Sequence, residues 1–251
     1  MLDRTVIVTG AGSARGIGRE TCVRLAAAGW TVAALDLVEA DARETAQLAA
    51  SVNGADAVGL ACDVTNADEV DAAVAAIERD CPPVAALVNN AGITAPTRFL
   101  DIELDEWDRV FDVNVRGTYL VTRRVLPTMV DRCHGRIVNL SSVSAVRGGG
   151  VFGGSHYSAA KAAVLGFTRA LAREVGPHGV TCNALAPGLI GTDITAGKLT
   201  PERQAQLVAD VPVRRQGTTG EVASMIVYLC SDDAGYVTGA TLDVNGGSHI
   251  H

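Results

Sequence analysis

Thr5-Val-Ile-Val-Thr9 runs straight into Thr9-Gly-Ala-Gly-Ser-Ala-Arg-Gly-Ile-Gly18, and this stretch decides the fold. The uncharged, β-favouring run reads as a strand buried on both faces. The glycines then allow a tight turn, and an amphipathic helix follows at once. A helix opening after such a turn offers free N–H groups and a partial positive charge to a pyrophosphate. Asp36 closes the next strand-like run, eighteen residues beyond Gly18. A carboxylate there would accept the ribose hydroxyls of an adenosine and repel a 2′-phosphate. The pattern predicts a dinucleotide site that prefers NAD to NADP. Arg15 argues the other way, since a guanidinium pairs well with a 2′-phosphate, but direct contact with Asp36 is expected to dominate.

Outward from the loop, short runs rich in valine and isoleucine alternate with alanine-rich stretches, the signature of a parallel sheet covered by helices on both faces. The predicted strands are Thr5–Thr9, Thr31–Asp36, Ala57–Ala61, Val84–Asn89, Arg136–Ser141, Thr181–Ala186 and Thr241–Val244. Helices are expected at about 17–28, 41–51, 67–79, 105–131, 156–175, 201–209 and 219–231. No linker, repeat or charge block interrupts the series. The expectation is an α/β chain folded as a single domain over 1–251, with a seven-stranded parallel sheet doubly wound from the first strand.

Composition narrows the function. A net charge of −7, with basic residues spread among acidic ones, argues against nucleic acid and anionic membrane as partners. No apolar run approaches the ~20 residues that cross a bilayer, and Met1 to Arg4 carries no signal-peptide pattern, so a cytoplasmic location is expected. The six cysteines stand singly, which suggests neither a disulfide framework nor a metal site. His249 and His251 read as a frayed polar end.

Tyr157 and Lys161 stand four apart in a helical stretch and leave the same face. A phenol ionises near about 10 and is a poor base at neutral pH, but a nearby ammonium favours the phenolate. Lowering that value by about 3 units requires roughly 4 kcal/mol, within reach of one close cation in a partly desolvated cleft. His156 points about 100° away from Tyr157 and is expected at the surface.

With the glycine loop, Asn89-Asn-Ala-Gly92, Ser142, Tyr157 and Lys161 in this order, nearly the whole chain resembles the short-chain dehydrogenase/reductase family. The resemblance implies a Rossmann fold. It also implies that Tyr157 exchanges a proton with the reacting oxygen, that Lys161 lowers its pKa and holds the nicotinamide ribose, that Ser142 orients the substrate, and that Asn114 holds a relay water. For the cofactor it implies Gly10, Gly12, Ser13, Arg15, Gly16, Ile17 and Gly18 at the phosphates, and Asp36, Leu37, Asp63 and Val64 at the adenosine. Asn90, Ala91, Gly92, Val113, Tyr157 and Lys161 would also contact the cofactor, and Pro187, Gly188, Ile190 and Thr192 would lie in the segment that borders the nicotinamide. Asn89 and Asn90 also read as ties between strands.

The chain departs from the family pattern twice. Five residues separate Gly10 from Gly16 where three are usual, with Gly12 the expected stand-in for the middle glycine. Ser142 and Tyr157 are fifteen apart where thirteen are usual, the surplus lying in the glycine-rich 147–154. Val151 and Phe152 are expected in the substrate wall, with Thr94, Thr97, Ser144, Val146, Leu189, Ile190 and the segment Thr195 to Leu199. No arginine or lysine is clearly placed to clamp an anion, so a neutral alcohol or ketone is expected.

One rival within the family is an NADPH-dependent 3-oxoacyl carrier-protein or acyl-CoA reductase. The places where such enzymes offer arginines to the carrier look like Cys133 and His178 here, with Arg132 close by. A non-catalytic dinucleotide sensor is a rival of another class, set against the presence of all four polar groups Asn114, Ser142, Tyr157 and Lys161. The resemblance also implies a homotetramer paired through the helices at 105–131 and 156–175, with Ala163, Phe167, Ala170 and Leu171 as its apolar stripe.

Overall fold

The computed structural model describes residues 4–54, 56–150, 152–193 and 200–250. Val151, the segment Thr195 to Leu199 and His251 lie outside them.

Seven strands, β1 (Thr5–Thr9), β2 (Thr31–Asp36), β3 (Ala57–Ala61), β4 (Val84–Asn89), β5 (Gly135–Leu140), β6 (Val180–Pro187) and β7 (Thr241–Val244), form one parallel sheet in the order β3-β2-β1-β4-β5-β6-β7. This is the doubly wound order expected from the sequence. β1, β4, β5 and β6 are buried along their whole length, which is why they read as largely apolar runs without strict alternation, with Arg136, Asn139, Thr181 and Asn183 among the buried polar exceptions.

Side chains alternate across the sheet into two cores. Val6 and Val8 face Leu25 of α1 (Ile17–Ala27) and Ile226 of α9 (Thr219–Cys230), whereas Ile7 faces Ile77 of α3 (Ala67–Asp80), Val125 of α5 (Gly117–Asp131) and Leu171 of α7 (Ser155–Val175). Chain β3 returns to β4 on the other side of β1, so a crevice opens at the carboxyl ends where the order reverses. The remaining helices are α2 (Glu39–Asn53), α4 (Leu104–Phe111), α6 (Ser144–Arg147) and α8 (Pro201–Ala209).

The long helix expected over 105–131 is broken. α4 ends at Phe111, a π-helical turn covers Asp112–Arg116, and α5 starts at Gly117. The side chain of Asn114 accounts for the break. Its Nδ2 donates to the Val110 carbonyl at 2.9 Å, the acceptor that an α-helix would give to the Asn114 backbone N–H. The widened turn accommodates this and leaves Asn114 fully buried.

His156 corrects a second expectation, since it is fully buried rather than at the surface. Its ring stacks on Trp107 of α4 at 6.4 Å, and Nε2 lies 3.1 Å from Glu106 Oε1. The face turned 100° from Tyr157 meets α4, a neighbour that helical periodicity alone does not reveal. Leu171, assigned to an outer stripe, belongs to the core, while Ala170 on the same helix is exposed.

Candidate active site

A cavity of about 500 Å³ runs along the carboxyl ends of the strands. At one end lie Ser13, Gly16, Ile17, Asp36, Leu37, Asp63 and Val64, and at the other Asn114, Ser142, Tyr157 and Lys161. Between them the wall holds Gly10, Asn90, Ala91, Gly92, Val113, Pro187, Gly188, Ile190 and Thr192. All but three of the catalytic and cofactor residues expected from the sequence therefore share one cleft.

The three others explain how the longer glycine loop is accommodated. Gly12 is turned away from the cavity, and its N–H donates to Asp36 Oδ2 at 2.7 Å, so it anchors the acid instead of lining the cleft. A Cβ on Gly12 would meet Asp36 Cγ at 2.7 Å. Gly18 packs at the base, where a Cβ would strike the Gly10 carbonyl at 2.4 Å, so its role is close packing of helix on strand. The Arg15 guanidinium is held by Asp193, with Nε at 2.7 Å from Oδ1. Asp193 also accepts from Ser13 Oγ at 2.8 Å and from the Arg15 N–H at 3.0 Å, and these bonds hold its carboxyl down at about 2. No local pattern signals this bridge, because the partners are 178 and 180 residues apart.

Asn90 Nδ2 donates to the carbonyls of Thr9 and Gly10, and Thr9 Oγ1 accepts from the N–H groups of Asn90 and Ala91. Gly10, at φ 63, needs its missing side chain, since a Cβ would sit 2.7 Å from the Ala91 Cα. Asn89 bonds Asn139 and Thr122 below, the strand tie expected of it. Asp63 accepts from both the N–H and the hydroxyl of Thr65, so it shapes its own turn while facing the cavity.

At the other end, Ser142 hydrogen-bonds Tyr157. Lys161 is buried, its Nζ donating to the Leu140 carbonyl at 2.8 Å, and Ser141 Oγ donates to the Lys161 carbonyl at 2.8 Å. These two bonds seat α7 on the end of β5. Asn114 Nδ2 also donates to the Ile93 carbonyl, while its Oδ1 is buried without a partner. A Cβ at Gly92 would lie 2.7 Å from that Oδ1 and 3.1 Å from Lys161 Nζ, so the bare glycine keeps open the space between them.

The electrostatics differ from the simple expectation. Burial raises the Tyr157 phenol above its ordinary value, and the Ser142 hydrogen bond only partly opposes this. Burial also pulls the Lys161 ammonium down to about 8. Its Nζ is 6.0 Å from the centre of the Tyr157 ring and turned to Leu140, so the anticipated lowering of the phenol by Lys161 is absent in this arrangement.

A family model described as enoyl-(acyl carrier protein) reductase matches residues 10–249. An uncharacterised short-chain type dehydrogenase/reductase of Sinorhizobium fredii is 43% identical over 248 residues, covering 99% of this chain and 98% of that protein. The chain belongs to the short-chain dehydrogenase/reductase family. A 3-oxoacyl-[acyl-carrier-protein] reductase of Vibrio harveyi is 38% identical, with 98% of each chain covered. The crystal structure of a 3-oxoacyl-[acyl-carrier protein] reductase from Brucella melitensis with bound NAD superposes with a TM-score of 0.90 at 37% identity, covering 99% of this chain and 92% of that one. The residues of this short-chain dehydrogenase/reductase fit a nicotinamide dinucleotide: a glycine turn with no room for side chains, an acid at the end of β2, and an unpartnered Asn114 acceptor opposite them.

The substrate side of this oxidoreductase holds several features that the sequence left unassigned. Of the expected wall, Thr94, Ser144, Phe152, Leu189 and Ile190 line the cavity, but Thr97 and Val146 do not. The described residues of 147–154 are tied to the site by hydrogen bonds. Ser144 Oγ donates to the Gly149 carbonyl, Gly149 N–H to Ser158 Oγ, and Thr94 Oγ1 to the Phe152 carbonyl. Gly153 is required there, because a Cβ would sit 2.3 Å from the Tyr157 ring. Arg109 and Arg147 also line the cavity, contrary to the expectation of an uncharged substrate wall. Neither belongs to a motif, and only the fold brings α4 and α6 to the same opening.

Proposed function

We propose that this chain reduces a ketone to a secondary alcohol and runs the reverse reaction, with NAD(H) as its preferred coenzyme and Tyr157 as the acid or base. The observation that carries this reading is that Ser142, Tyr157, Lys161 and Asn114 share one cleft, with Tyr157 bonded to Ser142. The nicotinamide supplies the hydride. Tyr157 donates its proton to the carbonyl oxygen as that oxygen gains charge, and Ser142 holds the same oxygen in place. A phenol raised by burial stays protonated at neutral pH, which suits it to donate in the reducing direction. Lys161, fixed by the Leu140 carbonyl, supplies positive charge beside the reacting group. Asn114 offers its free acceptor to a water that returns the proton from solvent through Lys161.

Two observations support NAD over NADP. Asp36 is oriented by the Gly12 N–H at the end of β2, and Arg15, the cation best placed to receive a 2′-phosphate, is engaged by Asp193. The names of the relatives favour a second reading, in which the ketone is a 3-oxoacyl thioester, and the family resemblance pairs that reading with NADPH. Turnover of a panel of ketones and 3-oxoacyl thioesters with NADH and with NADPH separates the two. NADH is expected to give the higher kcat/KM, and a large excess with NADPH would overturn the preference.

The chain acts as a single domain, its cofactor half at about 1–140 and its catalytic half beyond, in a cytoplasm that keeps the six free cysteines reduced. It assembles as a homotetramer through α5 and α7, where Tyr119 and Ala170 are exposed. Sedimentation equilibrium tests the assembly, and a monomer would contradict it.

A further inference from the structure

Arg109 and Arg147 approach the catalytic end of the cleft from two elements that the mechanism uses for other purposes. Arg109 lies on α4, one turn before the π-turn that presents Asn114, and Arg147 ends the short α6, which begins two residues after Ser142. Among the described residues they are the only arginines that line the cavity, and neither has an ion-pair partner. Of the acids near Arg109 in sequence, Glu106 faces His156 and Asp112 pairs with Arg116, and the adjacent Asp108 forms no ion pair with it. Asp105, one turn earlier on the same helix, forms no ion pair with it. Most cations around the glycine loop are, in contrast, matched to carboxylates, as Arg15 is to Asp193 and Arg19 to Glu44.

Two unmatched guanidinium groups at one opening raise the local concentration of anions and favour planar oxyanions that accept paired hydrogen bonds. At this end the lining carries one carboxylate, Asp210, after α8, against the two arginines; Asp36 and Asp63 lie at the adenosine end. We propose that Arg109 and Arg147 together select substrates carrying an oxyanionic group, a carboxylate or a phosphate, beyond the reacting carbonyl. This rests on the ketone and alcohol reading given above. The anion has two possible sources, the carboxylate of a short keto acid or the phosphates of a pantetheine-type thioester.

The test is calorimetric titration of the NAD-loaded protein with acetoacetate, acetoacetyl-CoA and the uncharged N-acetylcysteamine thioester of acetoacetate, for wild type and for the double variant R109A/R147A. Wild type should bind at least one anionic compound about tenfold more tightly than the neutral thioester, and the double variant should lose that preference. Preference for acetoacetate assigns a carboxylate, and preference for acetoacetyl-CoA assigns phosphate. Equal binding of all three by wild type, or a preference that survives in the double variant, overturns the proposal. Should the double variant fold poorly, Arg147→Gln alone and the salt dependence of wild-type binding decide. Anion preference unchanged by both overturns the clamp. Binding with the expected preference, but no reduction of the same compounds when NADH is supplied, counts against the ketone and alcohol reading instead. Turnover without anion preference counts against the clamp alone.

Discussion

The two ends of the cleft are built differently. At the adenosine end polar groups are already matched: Asp36 to the Gly12 N–H, Arg15 to Asp193, Arg19 to Glu44, and Asp63 to Thr65. At the catalytic end Asn114 Oδ1 has no partner, Lys161 and Tyr157 are shifted by burial toward their neutral forms, and two arginines stand unmatched. The first end is organised before anything binds, which lowers the entropic cost of holding a coenzyme. The second keeps unused hydrogen-bonding capacity and charge, which are the properties a reacting substrate and its proton relay must find there.

Substitutions at each end can break this contrast. The largest effect is expected from Lys161→Ala, which removes the only lysine of the catalytic group together with its tie to Leu140. Hydride transfer measured by NADH absorbance should slow by about 10²–10⁴-fold, as for loss of an acid–base group. A near-normal rate would detach Lys161 from the mechanism. Gly92→Ala should come next, because its Cβ must displace Asn114 Oδ1 or Lys161 Nζ. A loss of kcat of about tenfold or more is expected, with KM for NADH little changed; equal losses in both would place Gly92 in coenzyme binding.

At the other end, Asp36→Asn should act on coenzyme choice rather than on chemistry. The ratio of kcat/KM for NADH to that for NADPH should fall by about tenfold through loss of a charged acceptor, and an unchanged ratio would remove Asp36 from discrimination. The smallest effect is expected from His156→Phe, which keeps an aromatic ring on Trp107 but leaves Glu106 without its partner. A fall in Tm of a few degrees and a modest fall in kcat should appear together, since His156 fixes the first turn of α7 beside Tyr157.

The pH dependence should also separate the two directions of reaction. Reduction uses protonated Tyr157 and the Lys161 ammonium, so kcat/KM should hold at neutral pH and fall as pH rises through about 8, where Lys161 loses its proton. Oxidation needs the phenolate, which burial makes harder to form, so its rate should climb with pH above neutrality. Parallel profiles in the two directions would contradict Tyr157 as the group that titrates.

Much of the fold was legible because buried parallel strands write themselves as short runs rich in valine, isoleucine, leucine and alanine. All seven strands lie within one residue of their expected ends. The glycine loop and the Tyr157 and Lys161 spacing were legible for the same local reason, each being contained in a few consecutive residues. The break at Asn114 was not, because periodicity assumes that backbone carbonyls stay with backbone donors, and here a side-chain amide takes one. Burial of His156, the Asp193 bridge and the two cavity arginines depend on which elements meet across the fold, and no window of sequence records that. Gly12 faces Asp36 while Ser13 and Gly16 face the cleft, an arrangement that the order of the glycines does not record.

The role of Tyr157 as proton donor is tested most directly by a single-turnover measurement on NADH-loaded protein, wild type against Tyr157→Phe, with a ketone that the wild type reduces. The variant should bind NADH as tightly as wild type, while hydride transfer slows by about 10²–10⁴-fold. Hydride transfer at the wild-type rate in Tyr157→Phe would contradict that role.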